Sequence, residues 1–205
     1  MKNALIIFIR NPEKGKVKSR LSKDLGEEKT LTVYNFLLQY TRDICAKANA
    51  SRFVFYSDNI DHTDIWNEHF FTKYLQEGND LGERMSNAFS KVFHLGFKNV
   101  SIIGSDCYEL KSNHIQQAFV QLEKTEVVIG PSKDGGYYLL GMKQLHSELF
   151  VHKNWGSNDV LTSTLDNFEH LKLKFSELPS LNDIDTIDDL SGTDILEKCN
   201  LILPK

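Results

Sequence analysis

Close to its start, the sequence has an uninterrupted apolar run, ALIIFI at residues 4–9, which ends at Arg10-Asn11-Pro12. A run of this length without polar residues predicts a strand that is buried on both faces. Strands of this kind are typical of parallel sheets whose two faces are covered by helices. The first strand therefore favours an α/β fold.

Apolar runs and helical periodicity alternate from this strand up to residue 130. Further strands are predicted at 52–56, 71–75, 100–104 and 127–130. Apolar residues at three- and four-residue steps predict one helix that includes Val33 and another that includes Met85. A short acidic helix is predicted near Trp66, and a further helix is predicted to have Ser112 as its N-cap. This alternation implies right-handed crossovers and a mainly parallel sheet with helices on both faces.

The rhythm changes after Pro131. The sequence GGYYLLGM at 135–142 predicts a strand inserted out of sequential order, which makes the sheet mixed. A helix is then predicted from Ser157 to about Phe168, a strand near 171–177, and a loop over 183–199 that leads into one or two short helices. The expected architecture is a three-layer α/β/α sandwich.

Length and composition limit the classes of protein to consider. The chain has 205 residues, 40% of them hydrophobic and 25% charged, so we expect one globular domain over residues 1–205. Three cysteines without Cys-x-x-Cys spacing argue against a disulfide framework or a structural zinc site. A net charge of −4 argues against nucleic acid as a partner. No apolar run is long enough to span a bilayer or to serve as a secretory signal, so we expect a cytoplasmic protein; its oligomeric state is left open.

In open α/β sheets, ligands bind beyond the carboxyl ends of the strands. The first strand is followed there by a loop with five cations in eleven residues, RNPEKGKVKSR at 10–20. Gly15 allows close backbone approach, Lys18 supplies a point charge, and Arg20 can grip phosphate oxygens. Cations before a helix oppose its dipole, which suggests a functional reason for this loop. A solvated basic surface is the alternative, because neither common nucleotide-binding fingerprint is present.

Carboxylates follow two other predicted segments. The strand at 100–104 leads into Ser105 and Asp106, and a carboxylate at that edge suits Mg²⁺. Asp183 and Asp185 lie two residues apart, so an extended chain would point both to one side. Turn formation and helix capping are the alternative roles for all three aspartates.

Two glycine-containing segments complete the candidate site. Asp134-Gly135-Gly136 follows the strand at 127–130 and could shape an acceptor pocket, with a plain hairpin turn as the alternative. Arg84, near the start of a helix, could reach an anionic ligand or remain solvated. The seven histidines lack zinc-hydrolase spacing and no G-x-S-x-G elbow is present, while Cys107 is interpreted as a small buried residue rather than a nucleophile.

Several motifs occur together and in order along the chain. They are KGKVKSRL at 14–21, DLGERM at 80–85, IGSDCYEL at 103–110, GPSKDGGYYLLG at 130–141, W-x-S-x-x-V-L at 155–161 and LNDIDTIDDL at 181–190. In these motifs the chain resembles the rSAM/selenodomain-associated transferase family of the nucleotide-diphospho-sugar transferase superfamily, with its GT-A-like fold. It is also similar to 2-phospholactate guanylyltransferase.

The resemblance implies roles for particular residues. It implies that Gly15, Lys18 and Arg20 hold the phosphates of the nucleotide. Arg10, Arg84 and Ser105 are further predicted nucleotide-binding residues. It implies that Asp106 and Asp185 bind Mg²⁺ or Mn²⁺, with Asp183 in reserve, and that Lys18, Arg20 and Asp106 are catalytic. It implies that Asp134, Gly135 and Gly136 lie near a small acceptor. One departure is Tyr108, where relatives tend to have proline, and it affects the shape of the metal loop.

The family label implies a Mg²⁺-dependent glycosyltransferase that uses a nucleotide-diphosphate sugar. The basic loop instead favours nucleotidyl transfer from a nucleoside triphosphate, with pyrophosphate as the product. Glycosyltransferases of this fold commonly carry D-x-D, whereas this chain has Asp106-Cys107-Tyr108. A nucleotide-binding protein without turnover is the third hypothesis.

Overall fold

A seven-stranded sheet forms the centre of the computed structural model, which describes residues 2–202. Its strands are β1 (Asn3–Ile9), β2 (Ser51–Tyr56), β3 (Thr72–Leu75), β4 (Asn99–Ile103), β5 (Val127–Pro131), β6 (Tyr137–Met142) and β7 (Phe175–Glu177). Their spatial order is β3-β2-β1-β4-β6-β5-β7. Only β6 runs antiparallel to its neighbours, β4 and β5. The prediction of a mixed, mainly parallel sheet with one strand out of order is therefore confirmed.

Helices cover both faces of this sheet. They are α1 (Ser19–Leu25), α2 (Glu27–Ala46), α3 (Leu81–His94), α4 (Ser112–Leu122), α5 (Val160–His170) and α6 (Ile195–Lys198). Because successive strand side chains point to opposite faces, β1 contributes Leu5 and Ile7 to one apolar cluster and Ala4 and Ile6 to another. The first cluster packs against α2 and α4, and the second against α3 and α5. The predicted three-layer α/β/α architecture is confirmed.

A third, smaller apolar cluster joins the first two helices to the C-terminal part of the chain. Its buried members are Leu21, Leu25, Val33, Leu37, Ile184, Leu190 and Ile195. Within residues 2–202, every helix is too short or too polar to span a bilayer.

The prediction of a short helix near Trp66 is wrong. Three side chains, those of Asp61, Asp64 and Asn67, each accept a hydrogen bond from the backbone N–H two residues later. Such local bonds compete with the helical backbone pattern and produce successive turns. Trp66 is nevertheless buried, with 1% of its surface exposed.

Three element boundaries also differ from prediction. The helix expected from Ser157 begins at Val160, and the strand expected over 171–177 is limited to β7. Ser112 is the first helical residue of α4, so the N-cap position belongs to Lys111. The late start of α5 has a packing reason, because Asn158 lies directly against the backbone of Gly135.

Candidate functional site

The C-terminal segment 181–185 crosses the carboxyl ends of the central strands and is held there by main-chain hydrogen bonds. Leu181 N–H donates to the carbonyl of Pro131 (3.1 Å), at the end of β5. Ile184 N–H donates to the carbonyl of Asp106 (2.9 Å), in the loop after β4. Residues that are far apart in sequence thus reach one edge of the sheet.

A cluster of cations and carboxylates lies at this edge. We call it the charged cluster, and its members are Lys18, Arg20, Asp106, Asp183 and Asp185. Lys18 Nζ lies 2.6 Å from Asp106 Oδ2 and 3.7 Å from Asp185 Oδ1. Arg20 Nη1 lies 2.8 Å from Asp185 Oδ2. One cation from the loop after β1 and one from α1 therefore meet a carboxylate of the loop after β4 and a carboxylate of segment 181–185.

Burial and charge act against each other on the central pair. Burial disfavours the charged form of Lys18, but the Asp106 carboxylate outweighs it and raises the pKa of the ammonium. Burial likewise opposes ionisation of Asp106, but the charge and hydrogen bond of Lys18 lower the pKa of its carboxyl group. Both groups are therefore charged at neutral pH.

Asp183 is in a different state from its neighbours. Its Oδ2 accepts a hydrogen bond from the Ser132 hydroxyl (2.7 Å), whereas its Oδ1 is buried without a partner among residues 2–202. Burial, together with the negative charge of Asp106, raises the pKa of Asp183 to about 7. A cation at this position would satisfy the unpaired oxygen.

The donor set fits a hard divalent cation. Asp106, Asp183 and Asp185 offer carboxylate oxygens, which Mg²⁺ and Mn²⁺ prefer, and the unpaired Oδ1 of Asp183 is the observation that supports the fit. Among the described residues, however, no three His, Cys, Asp or Glu side chains are already arranged as a metal site. The Lys18 ammonium lies between Asp106 and Asp185 instead.

Three residues that sequence analysis did not assign hold the loops of this edge in place. Tyr34 hydroxyl donates to the carbonyl of Arg10 (3.0 Å) and accepts from its N–H (2.9 Å). Asn11, 7% exposed, accepts from Asp58 N–H (3.0 Å) and so ties the loop after β1 to the loop after β2. Gln76 Nε2 donates to backbone carbonyls at the ends of β1 and β2 (2.9 and 3.0 Å).

The other predicted phosphate-binding residues are distributed around the cluster. The positive charge of Arg10 acts on Asp106 and helps to lower the pKa of that carboxyl group. Ser105 is buried, with its hydroxyl 3.4 Å from that of Tyr34. Within residues 2–202, neither Gly15 nor Arg84 forms a polar contact with the charged cluster. The nearest side chain to the open face of Gly15 is Glu27, and Arg84 Nε donates to the carbonyl of Gly78 (3.0 Å).

The predicted acceptor residues form a turn beside Asp183. Asp134 accepts a hydrogen bond from Gly136 N–H (2.9 Å), and its charge contributes to the raised pKa of Asp183. Gly135 has a φ of 89°, and a Cβ there would lie 2.2 Å from the carbonyl of Asn158. The absence of a side chain at Gly135 therefore permits packing against the chain itself.

A second glycine, at the start of α3, also allows close packing because it has no side chain. A Cβ at Gly82 would lie 2.3 Å from the carbonyl of Phe150 and 2.7 Å from the ring of Trp155. Gly82 and Gly135 thus both pack against the segment that precedes α5. The motifs DLGERM, DGGYYLLG and W-x-S-x-x-V-L meet in this packing.

Tyr108, which lies in the loop after β4, is directed towards α6. Its hydroxyl donates to Asp194 (2.7 Å) and accepts from the Lys198 ammonium (2.9 Å), and its ring packs against Phe36 and Tyr40. Tyr108 thereby fastens the C-terminal helix to the loop that carries Asp106.

Solved structures of other proteins share this architecture. A protein from Desulfovibrio desulfuricans G20, provisionally named a nucleotide-diphospho-sugar transferase, is 28% identical over 97% of this chain and 95% of its own, with a TM-score of 0.88. CMP:2-keto-3-deoxy-manno-octonic acid synthetase, solved with CTP, has a TM-score of 0.61 at 8% identity, covering 98% of this chain and 100% of its own. Rv0371c of Mycobacterium tuberculosis H37Rv, solved with manganese, has a TM-score of 0.54 at 14% identity over 96% and 98%.

The last two similarities show the fold alone, and no curated protein sequence is similar to the chain. Together with the first, they confirm the expected fold of the nucleotide-diphospho-sugar transferase superfamily. The sequence model of one family matches residues 40–157, more than half of the chain. The protein therefore belongs to the DUF2064 family, which is described as "uncharacterized protein conserved in bacteria".

Proposed function

We propose that the protein is a transferase that uses a nucleotide donor and a divalent cation, and that the group it transfers is the nucleotidyl group. The observation that carries this proposal is the convergence of Lys18 and Arg20 on Asp106 and Asp185 at the carboxyl edge of the sheet. Cations and metal-binding carboxylates in one place are what a reaction with a polyphosphate leaving group requires.

The origin of the second carboxylate favours nucleotidyl over glycosyl transfer. Cys107 is buried and Tyr108 is directed to α6, so the position two residues after Asp106, where D-x-D has its second aspartate, offers no carboxylate. The partner carboxylates come from segment 181–185, in the arrangement that the resemblance to guanylyltransferases implies. Glycosyl transfer from a nucleotide-diphosphate sugar is the second candidate, and the name of the Desulfovibrio protein supports it.

In the proposed reaction, an oxygen of the acceptor forms a bond to the α-phosphorus, and the bond between this phosphorus and the α–β bridging oxygen breaks. Pyrophosphate leaves with the bonding electrons. Lys18 and Arg20 offset the negative charge on the phosphate oxygens. A divalent cation held by Asp106 with Asp185 or Asp183 would supply further charge neutralisation.

The two chemistries differ in the donor they prefer. We expect the wild-type protein, with Mn²⁺ present, to bind a nucleoside triphosphate more tightly than nucleotide sugars in calorimetry. Lys18→Ala and Arg20→Ala should each weaken triphosphate binding by roughly 1.5–3 kcal/mol, the range for hydrogen bonds to charged groups. Binding of the corresponding monophosphate should change little.

Lys16→Ala is the matched control, because Lys16 lies in the same loop but pairs with Glu13 at the exposed surface. Preference for a nucleotide sugar, with release of a nucleoside diphosphate when an acceptor is added, would establish glycosyl transfer instead. If the wild-type protein binds nucleotides but yields neither pyrophosphate nor nucleoside diphosphate with any acceptor, the protein is a binding protein. If it binds neither class of donor, the transferase proposal fails.

A further inference from the structure

The Lys18 ammonium lies within the group of carboxylates that would receive a divalent cation. It is 2.6 Å from Asp106 Oδ2 and 3.7 Å from Asp185 Oδ1, and only 9% of its side chain is exposed. The charge of Asp183 also acts on it. The Lys18 ammonium thus contacts the carboxylates of Asp106 and Asp185, and Asp185 is shared with Arg20.

This ammonium and a divalent cation exclude each other at Asp106. Two positive ions sharing one carboxylate oxygen repel strongly, and the shielded position of Lys18 leaves little water to screen that repulsion. For a cation to bind Asp106 Oδ2, the ammonium must move away. Lys18 is able to do so, since four flexible methylene groups separate its charge from the backbone.

The backbone at Lys18 is held in an uncommon conformation. Lys18 has φ 47° and ψ 53°, in the left-handed region, immediately before the first residue of α1. Non-glycine residues adopt this conformation at a cost, and they do so where the surrounding structure imposes it. The ion pair with Asp106 is the contact that fixes the side chain in this position.

We propose that Lys18 and the divalent cation compete for Asp106, so that the cation enters as the Lys18 ammonium passes from the carboxylates to the phosphates of the nucleotide. This inference rests on the proposed function. It makes the nucleotide-free protein a weak binder of divalent cations, although the carboxylates are assembled. It also makes binding of nucleotide and metal mutually reinforcing, since each favours the released state of Lys18.

The test is Mn²⁺ binding in the absence of nucleotide, measured from the electron paramagnetic resonance signal of free Mn²⁺. Lys18→Met should bind Mn²⁺ about tenfold more tightly than the wild-type protein, an ordinary coupling between ligands. Lys16→Met removes the same charge from the same loop without touching Asp106 and should bind as the wild type does. Asp106→Asn added to Lys18→Met should abolish the gain.

The inference is overturned if Lys18→Met binds Mn²⁺ no more tightly than Lys16→Met. Should Lys18→Met fail to fold, Lys18→Gln replaces it, because the amide retains a hydrogen-bond donor without the charge; an unchanged Mn²⁺ affinity there also overturns the inference. A gain in Mn²⁺ affinity without any nucleotide binding would remove the proposed function and leave the competition at Asp106 standing. Normal nucleotide binding without the gain would do the reverse.

Discussion

Replacing Asp183 with asparagine should change how the stability of the protein depends on pH. In the wild-type protein the Asp183 side chain has one oxygen bonded to Ser132 and one buried oxygen without a partner. Asparagine has the same shape, and its carbonyl oxygen can still accept the hydrogen bond from Ser132. Only the capacity to become a buried anion beside Asp106 is lost.

The direction of the effect follows from the raised pKa. Burial and the charge of Asp106 raise the pKa of Asp183 from 3.8 to about 7, so the folded protein binds a proton here that the unfolded chain releases. The contribution of Asp183 to the stability of the folded protein is fully present below about pH 4 and is lost as the pH rises through 7. Three units of pKa at 1.36 kcal/mol each set an upper limit of about 4 kcal/mol on the loss.

The measurement is urea unfolding of wild type and Asp183→Asn from pH 4 to pH 9, with a chelator present throughout. The variant should gain stability relative to the wild type across pH 4–7 and keep that gain above pH 7. Asp189→Asn is the control, and its effect on stability should have the opposite sign. Burial disfavours the Asp189 anion, but hydrogen bonds from Asn182 and Thr186 prevail and lower its pKa. Parallel profiles for wild type and Asp183→Asn would refute the reasoning.

Two further substitutions test the packing around the site. Gly82→Ala places a Cβ 2.3 Å from the carbonyl of Phe150, so urea unfolding should show a free energy of unfolding lower by about 1–3 kcal/mol. Ser86→Ala on the same helix is the control and should be nearly neutral. Equal effects of the two substitutions would contradict the packing argument. Tyr108→Phe removes the hydrogen bond to Asp194, so it should lower the free energy of unfolding by about 0.5–1.5 kcal/mol and leave the Mn²⁺ affinity unchanged. A large change in the Mn²⁺ affinity would instead place Tyr108 in the metal site.

Much of the fold could be predicted because its signals are local. Apolar runs mark the buried strands, and the glycine- and aromatic-rich stretch that became β6 broke the rhythm where the topology changes. The segment around Trp66 misled the prediction because its acidic residues form turns through their own side chains. The start of α5 depends on the contact of Asn158 with Gly135, which no local pattern reveals.

The charged cluster could be outlined from sequence for a topological reason. Lys18, Arg20 and Asp106 follow strands whose carboxyl ends meet at one edge. The alternate spacing of Asp183 and Asp185 suggested a second carboxylate, and the resemblance favoured Asp185. The supporting residues could not be found in this way. Tyr34 and Gln76 act through partners 24 and 67 residues away, and nothing in their own surroundings in the sequence marks them.

The third apolar cluster supports both the cationic side and the carboxylate side of the charged cluster. Leu21 in α1 belongs to the helix that carries Arg20, and Ile184 lies between Asp183 and Asp185. Both rest on a small core distinct from the two that hold the sheet. A local opening of that core would separate Arg20 from Asp185 while the sheet stays folded. A ligand that bridges them would suppress this opening, and the amide hydrogens of α1 and of Ile184 would then exchange with solvent more slowly as one unit.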